Sequence, residues 1–269
     1  MAITAADVKK LRDATGAGMM DAKKALTEAE GDFERAIEIL RVTGQAKMAG
    51  RSDRDASNGI VAATGNTLIQ LGSETDFVAK NAEFIALAEK IVAAIDAAGV
   101  TGVEAANAVA LEDGTVQDAI SALATKIGEK LELKGAVHYD GTTHTYLHRR
   151  SQDLPPQVGV LVEYSGADEA LVHSVALQIA SVQPQFVTRE DVPAELVEKE
   201  ARIAKETALE EGKPEKILDR IVEGRLGGFY KDVCLVEQPA VSDDKKTVGQ
   251  LLDAAGVKVT QFVRLSAGH

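Results

Sequence analysis

Hydrophobic residues in the first 50 positions recur every three or four residues, which is the spacing of amphipathic α-helices. Breaks at Gly16 and Gly31 divide this stretch into three segments, and Thr4 with Asp7 three residues later is typical of a helix-capping box. We therefore predict a module of three short helices, followed over residues 44–58 by a polar linker. The periodic apolar positions are Val8 and Leu11, then Met19, Ala22 and Leu26, then Phe33, Ala36, Ile37 and Leu40.

After the linker the apolar period changes to two, which is the spacing of β-strands. Two pairs of such segments flank the dipeptides Gly65-Asn66 and Asp140-Gly141, which favour tight hairpin turns. We therefore predict two β-hairpins, each followed by amphipathic helices, and hence two related α+β halves. The predicted hairpins join 60–64 to 67–71 and 131–139 to 142–147, a further strand covers 158–164, and the helical stripes are centred on Ile91, Ile120 and Val175.

Residues 190–226 depart from this pattern, because charged residues are dense there and apolar residues are sparse. Gly212-Lys213-Pro214 interrupts the segment in the middle, so an antiparallel pair of helices projecting into solvent is predicted. The alternative is that the pair packs flat on the core. Beyond it the sequence predicts a strand at 233–236, a short helix at 248–255 and a final strand at 257–265.

The composition narrows the classes of function. The 269 residues carry 30 Lys and Arg against 42 Asp and Glu, a net charge of −12, which disfavours direct binding to nucleic acid. Aromatic residues make up 4% and Trp is absent, which leaves little for stacking on bases. No apolar run approaches the ~20 residues of a membrane span, and the first residues do not resemble a signal peptide. The single Cys234 cannot form an intrachain disulfide, which suits a reducing cytoplasm. From these features together we expect a cytoplasmic protein whose partner is another protein.

Candidate catalytic and metal-binding groups are few. His138, His144 and His148 fall in the second predicted hairpin and permit a metal site, but no Cys or acidic ligand clusters with them, so surface histidines are the favoured interpretation. The glycine-rich stretch at 15–18 lacks the Gly-Lys-Ser/Thr of a phosphate-binding loop. Cys234 lies in an apolar run that favours a buried thiol over a nucleophile. We expect no catalytic residue, no metal and no cofactor.

One segment has no place in these patterns. Just before the strongest predicted helix, Asp76-Phe77 sets a carboxylate beside a large apolar ring. One interpretation makes Asp76 a helix cap and Phe77 a staple onto that helix, and the spacing favours it. The other makes the pair a protruding wedge that enters a pocket of a partner. Spacing alone does not decide between the two.

Several motifs in colinear order resemble those of the bacterial elongation factor Ts family. Residues 11–12, 15–21 and 23–26 resemble its amino-terminal signature, and residues 75–81 resemble a second one. The resemblance covers essentially the whole chain, and further matches occur at 191–195, 222–226, 237–239 and 246–252.

The resemblance implies a guanine-nucleotide exchange factor for the translation GTPase elongation factor Tu, bound in its GDP-bound and nucleotide-free states. One group of residues is implied to enter the GTPase and disturb its magnesium site, and others to dock on the nucleotide-binding domain or to add a contact. The residues implied to enter the GTPase are Thr75, Asp76, Phe77 and Val78. Those implied to dock on the nucleotide-binding domain are Leu11, Met19 and Met20. The additional contact is implied for His148, which follows Tyr146-Leu147. The sequence leaves open whether the chain forms a homodimer or a 2:2 complex.

The resemblance also implies an architecture that agrees with the patterns above. The expected fold class is α+β, with an amino-terminal three-helix module of the ubiquitin-associated type, a linker, and a two-part α+β core with a projecting antiparallel helical hairpin. The implied divisions are 1–52 for the module and the start of the linker, 53–140 for the first part of the core, 141–186 and 228–269 for the second part, and 187–227 for the hairpin. Two other hypotheses compete: a helical scaffold protein without exchange activity, and a metal-dependent enzyme built on the histidine hairpin.

Overall fold

Helices and β-strands alternate along the chain in the computed structural model, which describes residues 3–51 and 53–268. This mixture, with three helices at the amino terminus, confirms the predicted α+β class. The helices are α1 (Ala5–Thr15), α2 (Met19–Glu28), α3 (Phe33–Ala49), α4 (Asp76–Ala79), α5 (Ala82–Ala98), α6 (Val103–Asn107), α7 (Val116–Ile127), α8 (Glu169–Val182), α9 (Ala194–Glu210), α10 (Leu218–Val233) and α11 (Val248–Ala255). The strands are β1 (Asn58–Thr64), β2 (Thr67–Ser73), β3 (Ala110–Leu111), β4 (Gly114–Thr115), β5 (Leu131–His138), β6 (Thr143–His148), β7 (Val158–Ser165), β8 (Pro239–Ala240), β9 (Asp243–Thr247) and β10 (Lys258–Ser266).

The three amino-terminal helices pack around a small apolar core of their own. The Asp7 N–H donates to the Thr4 hydroxyl (3.2 Å) and the Thr4 N–H donates to the Asp7 carboxylate (3.0 Å), which confirms the predicted capping box. Asp32 caps α3 by accepting a hydrogen bond from the Arg35 N–H (2.9 Å). The buried residues of this core are Val8, Leu11, Ala22, Ala25, Leu26, Ala29 and Ala36.

The predicted linker begins too early in the sequence. Because α3 continues to Ala49, the prediction of a linker is wrong for residues 44–49. Gly44, which suggested a break, faces α7, and a Cβ at this position would lie 2.2 Å from Cγ2 of Thr125. Gly16, at the end of α1, would likewise place a Cβ 2.5 Å from Cγ of Lys126. Two glycines therefore let the helices of the module approach α7 closely, and apart from Gly44 the residues of 44–49 are good helix formers, so the helix continues through them.

Contacts within the chain divide it into two units. The first falls within residues 1–138, 149–158 and 265–269, and the second within residues 139–148 and 159–264. The three amino-terminal helices therefore belong to the same unit as β1, β2 and β5. The finer division into five parts stays a prediction.

The first unit contains a three-stranded sheet in the order β1-β2-β5, in which both pairs are antiparallel. Thr64 pairs with Thr67 across Gly65-Asn66, so the first predicted hairpin is confirmed. β2 then pairs with β5, with Leu68 opposite Val137. α5 and α7 pack on this sheet, and the fully buried large side chains of the core between them are Ile69, Leu71, Phe84, Ile91, Ile95 and Ile120.

The second predicted hairpin is wrong, because its two strands belong to different sheets. β5 lies beside β2, whereas β6 pairs with β7 in a sheet of order β10-β7-β6. The turn at Asp140-Gly141 serves that second sheet: the Gly141 N–H donates to the Glu163 carboxylate (2.9 Å) and the Tyr164 N–H donates to the Thr142 carbonyl (3.0 Å). The Asp-Gly dipeptide indicates a turn, but it carries no information about which strand is paired beyond it.

In the second unit α9 and α10 form the predicted helical hairpin. The Arg225 guanidinium of α10 donates to the Ala204 carbonyl (3.3 Å) and to the Glu211 carboxylate (2.8 Å), which ties the two helices together. The strand predicted at 233–236 is wrong. α10 continues to Val233, and the Cys234 N–H caps it by donating to the Tyr230 carbonyl (2.8 Å). The apolar run that suggested a strand is buried here by the end of a helix and a 3-10 turn.

Gly59 and Gly224 provide a matched test of this fold. Gly59 has a φ of +129°, and a Cβ there would lie 2.1 Å from the Leu71 carbonyl oxygen, so we expect Gly59→Ala to lower the free energy of unfolding by more than about 1 kcal/mol. Gly224 lies inside α10, and apart from its chain neighbours and the backbone of its own helix no atom lies within 4 Å of a Cβ placed there, so Gly224→Ala should raise the free energy of unfolding by about 1 kcal/mol. Urea denaturation followed by circular dichroism measures both, and an unchanged midpoint for Gly59→Ala would contradict the close approach of β1 to β2.

Candidate partner-binding surface

Residues 74–80, called here the Phe77 turn, connect β2 to α5 and contain the one-turn helix α4. The side chain of Phe77 is 80% exposed, whereas the next two residues, Val78 and Ala79, are buried in the core of the first unit. The Asp76 carboxylate lies 3.7 Å from the Lys80 ammonium group, and both side chains are open to solvent. The turn therefore holds an apolar ring and a carboxylate outward on a base that is packed inward.

The interpretation of Asp76 as a cap and Phe77 as a staple is wrong. Asp76 is the first residue of α4, and the cap of α5 is Asn81, whose side chain accepts hydrogen bonds from Glu83 N–H (2.8 Å) and Phe84 N–H (3.4 Å). A ring that is 80% exposed contributes little to packing on α5. The wedge interpretation of this pair stays a prediction.

Hydrogen bonds from Ser73 and from two distant segments fix the backbone at the start of the Phe77 turn. The Thr75 N–H and hydroxyl both donate to the Glu129 carboxylate (3.1 and 2.8 Å). The Ser73 hydroxyl donates to the Thr75 carbonyl (2.8 Å), and the Asn58 amide donates to the Glu74 carbonyl (2.8 Å). No local motif in the sequence marks these supporting residues, and Glu129 lies 54 positions from Thr75 along the chain.

The carboxylate of Glu74 is the most strongly partnered group of the turn, and its side chain is 11% exposed. It accepts hydrogen bonds from the Arg51 guanidinium (2.9 and 3.0 Å), from Arg54 (3.2 Å) and from the Lys130 N–H (2.7 Å). Burial alone would raise the pKa of this carboxyl, but the hydrogen bonds from the Lys130 N–H and the two guanidinium groups outweigh it and hold the pKa below its ordinary value. Glu74 is therefore ionised and joins the turn to two other segments.

The predicted residues of the amino-terminal module occupy different environments. Met19 and Met20 are 60% and 77% exposed at the start of α2. Leu11 is fully buried among the module's helices, so the prediction that it contacts a partner needs correction: it has no exposed surface and acts by packing. Its apolar position in α1 could not distinguish the two roles, because core and interface residues share the same helical spacing.

The histidines also separate. His138 lies on β5, where its Nδ1 is 2.8 Å from the Thr67 hydroxyl, whereas His144 and His148 lie on β6 in the other sheet. His148 is exposed, and its Nδ1 lies 2.9 Å from the Tyr146 hydroxyl. Because the hairpin that would have joined the three histidines does not form, the metal hypothesis loses its premise. Over residues 3–51 and 53–268, no group of three or more His, Cys, Asp or Glu side chains could hold a metal ion.

Two further features bear on the classes of function. Cys234 is fully buried, and burial raises the pKa of its thiol to about 11, so it stays protonated and unreactive at neutral pH. In the described part of the chain, every helix is too short or too polar to cross a membrane.

Comparisons with known proteins agree along the chain. A family model described as Elongation factor TS matches residues 74–269, which begins at the first residue of the Phe77 turn. Elongation factor Ts of Cutibacterium acnes is 66% identical over 270 residues, covering 100% of both chains. Elongation factor Ts of Mycolicibacterium vanbaalenii is 60% identical over 266 residues, and that of Mycobacterium avium is 56% identical over 270 residues; each alignment covers 99% of this chain and 98% of the relative.

The anchoring carboxylate predicts a pH dependence of stability. The pKa of Glu74 is lowered in the folded state, so its contribution to stability is present above the unfolded-state value of about 4.3 and is lost as the pH falls through the lower folded-state value. We expect Glu74→Gln to lower the melting temperature at pH 7 and to reduce the loss of stability between pH ~5 and ~3.

Melting temperatures measured from pH 7 to pH 3 provide the test. Glu104→Gln, which changes an exposed glutamate of α6, is the control and should follow the wild-type curve. Parallel curves for Glu74→Gln and wild type would contradict the assignment of this carboxylate as an anchor.

Proposed function

The chain belongs to the elongation factor Ts family, and from that premise we propose that it is a guanine-nucleotide exchange factor for the GTPase elongation factor Tu. It binds the GTPase in the GDP-bound and nucleotide-free states and promotes release of GDP, so that GTP can bind during translation elongation. The observation that carries the proposal is the exposed Phe77 ring beside Asp76, on a turn whose backbone is fixed by hydrogen bonds to distant segments.

The proposed mechanism is the displacement of a magnesium ion. In GTPases the magnesium ion bridges the phosphate oxygens of the nucleotide and groups of the protein, so disturbing it removes one of the strongest local charges that hold the nucleotide. Phe77 enters an apolar pocket of the GTPase and shifts its packing, while the carboxylate of Asp76 competes for groups around the ion. Thr75 and Val78 hold the turn in place. Thr75 does so by its hydrogen bond to Glu129, and Val78 by its burial in the apolar core.

The binding free energies of GDP and of the exchange factor on the GTPase are coupled. An exchange factor must bind the nucleotide-free GTPase more tightly than the loaded one, since equal affinity for both would shift nothing. By linkage, GDP weakens binding of the factor by the same ratio as the factor weakens binding of GDP. A rigid turn suits this task, because its ordering is complete before the complex forms and little binding energy is lost to it. No bond is made or broken, and no cofactor is needed.

The remaining contacts extend this interface. Met19 and Met20 provide an adaptable apolar surface, since the unbranched thioether side chain conforms to irregular pockets. Leu11 supports them from the core of the module, and His148 supplies a polar contact. We further propose the five-part domain division given above, action in the cytoplasm, and a homodimer or a 2:2 complex with the GTPase as the assembly.

Substitutions in the Phe77 turn test the wedge. We expect Phe77→Ala and Asp76→Ala each to lower the maximal rate of GDP release at saturating factor, because both groups act on the GTPase after binding. The melting temperature should change little for Phe77→Ala, because an exposed ring adds little to the core. Stopped-flow fluorescence of labelled GDP leaving elongation factor Tu measures the rate.

Val241→Ala removes apolar surface from another residue that is 72% exposed and serves as the control, with wild-type exchange expected. Chelating magnesium without the factor should itself speed GDP release, and the additional acceleration by the factor should then shrink. Full maximal exchange by a folded Phe77→Ala, Asp76→Ala double variant would contradict the wedge. Binding without any acceleration by the wild-type chain would favour the scaffold hypothesis instead.

The module is tested separately. We expect the Met19→Ala, Met20→Ala double variant to raise the half-saturating concentration of factor about tenfold, equivalent to ~1.4 kcal/mol, with the maximal rate unchanged. The physical reason is that these side chains contribute to affinity and do not reach the magnesium site. Val42→Ala, which alters another exposed side chain of the module (66% exposed), is the control. An unchanged half-saturating concentration for the double variant would remove the methionines from the interface.

A further inference from the structure

His148 is held by a neighbour on its own strand. Residues two apart on a β-strand face the same side, so Tyr146 and His148 of β6 share one face. The Tyr146 hydroxyl lies 2.9 Å from His148 Nδ1, and the two ring centroids are 6.1 Å apart. A side chain at the exposed end of a strand would otherwise sample several rotamers, and this hydrogen bond restricts them.

The Tyr146 ring is in turn held from behind. It is partly buried against the core of the second unit and meets the His173 ring of α8 edge to face, with centroids 5.7 Å apart. His173 Nδ1 lies 3.0 Å from His144 Nε2, and the His144 side chain is only 15% exposed. A helix and a strand of the same unit therefore fix the tyrosine before any partner arrives.

The chemistry of imidazole gives this contact a consequence. A neutral histidine carries one N–H, and the nitrogen that accepts a hydrogen bond determines which nitrogen keeps the proton. If the tyrosine hydroxyl donates to Nδ1 of His148, the proton stays on Nε2, the ring nitrogen that the tyrosine does not engage. The opposite tautomer would present an acceptor at that position, so the two tautomers recognise different partner groups.

We propose that Tyr146, supported by His173, is a positioning residue that fixes the rotamer and the Nε2–H tautomer of His148, so that His148 donates a hydrogen bond to an acceptor oxygen of the GTPase. The inference rests on the proposed function, in which His148 contacts elongation factor Tu. It gives the Tyr146 hydroxyl a role in ordering His148.

A double-mutant cycle tests the positioning role. Tyr146→Phe retains the ring and its packing on His173 but removes the hydroxyl, and we expect it to raise the half-saturating concentration of factor about fivefold in the GDP-release assay. In a His148→Ala background the same substitution should have no further effect. Tyr164→Phe, which removes a tyrosine hydroxyl from β7, is the control and should leave exchange unchanged.

The outcomes separate the two levels of the proposal. An equal loss from Tyr146→Phe with and without His148 would mean a merely structural role and would overturn the inference, as would wild-type exchange by His148→Ala. Nitrogen-15 NMR of the histidine rings reads the tautomer in the chain alone: Nδ1 of His148 should show the unprotonated shift in the wild type and lose that preference in Tyr146→Phe. If the wild-type chain does not accelerate GDP release, the proposed function fails, and the NMR result still decides whether Tyr146 sets the tautomer.

Discussion

The carboxylate of Glu74 joins three parts of the first unit that are far apart in sequence. It receives hydrogen bonds from Arg51 and Arg54, which precede β1, and from the backbone of Lys130, which precedes β5. A carboxylate that is mostly buried is tolerated only when such partners replace its water, and removing one of them would leave an uncompensated charge. The Phe77 turn begins at this point, so the direction in which Phe77 leaves the protein depends on that network.

An exposed phenylalanine loses less conformational entropy on binding when it is already held in one orientation. The base of the turn supplies this in two ways, since Thr75 is fastened to Glu129 by two hydrogen bonds and Val78 is buried in the apolar core. Polar groups thus fix the start of α4, and apolar contacts bury Val78 within it. A similar division recurs on β6, where Tyr146 combines ring packing with a hydrogen bond to His148. In both places an exposed residue, Phe77 or His148, is ordered by neighbours that are themselves packed or hydrogen-bonded within the chain.

The sequence predicted those features that local patterns determine. Helix periodicity, the Thr4 capping box and the turn at Gly65-Asn66 were sufficient for the amino-terminal helices and the first hairpin. Pairing between distant strands was not predictable in this way, because the Asp140-Gly141 turn indicates a reversal without naming the strand that follows. The residues of the candidate site likewise differ in whether local sequence patterns identify them. The Asp76-Phe77 pair could be singled out from sequence, whereas Glu129 and the burial of Leu11 depend on tertiary contacts that no spacing encodes.

The close packing of Gly16 and Gly44 against α7 affects whether the amino-terminal helices can be exchanged for those of a relative. A methyl group at position 44 would overlap Cγ2 of Thr125, and one at position 16 would overlap the side chain of Lys126. A chimera that took its first 51 residues from a relative and the remainder from this chain would inherit one half of that fit without the other. At position 44 a larger donor residue would collide with the short side chain of Thr125, whereas at position 16 the long Lys126 side chain can move aside but the φ of +69° still favours glycine. Whether a transplanted module packs on α7 therefore depends on positions 16 and 44 of the donor and on Thr125 and Lys126 of this chain.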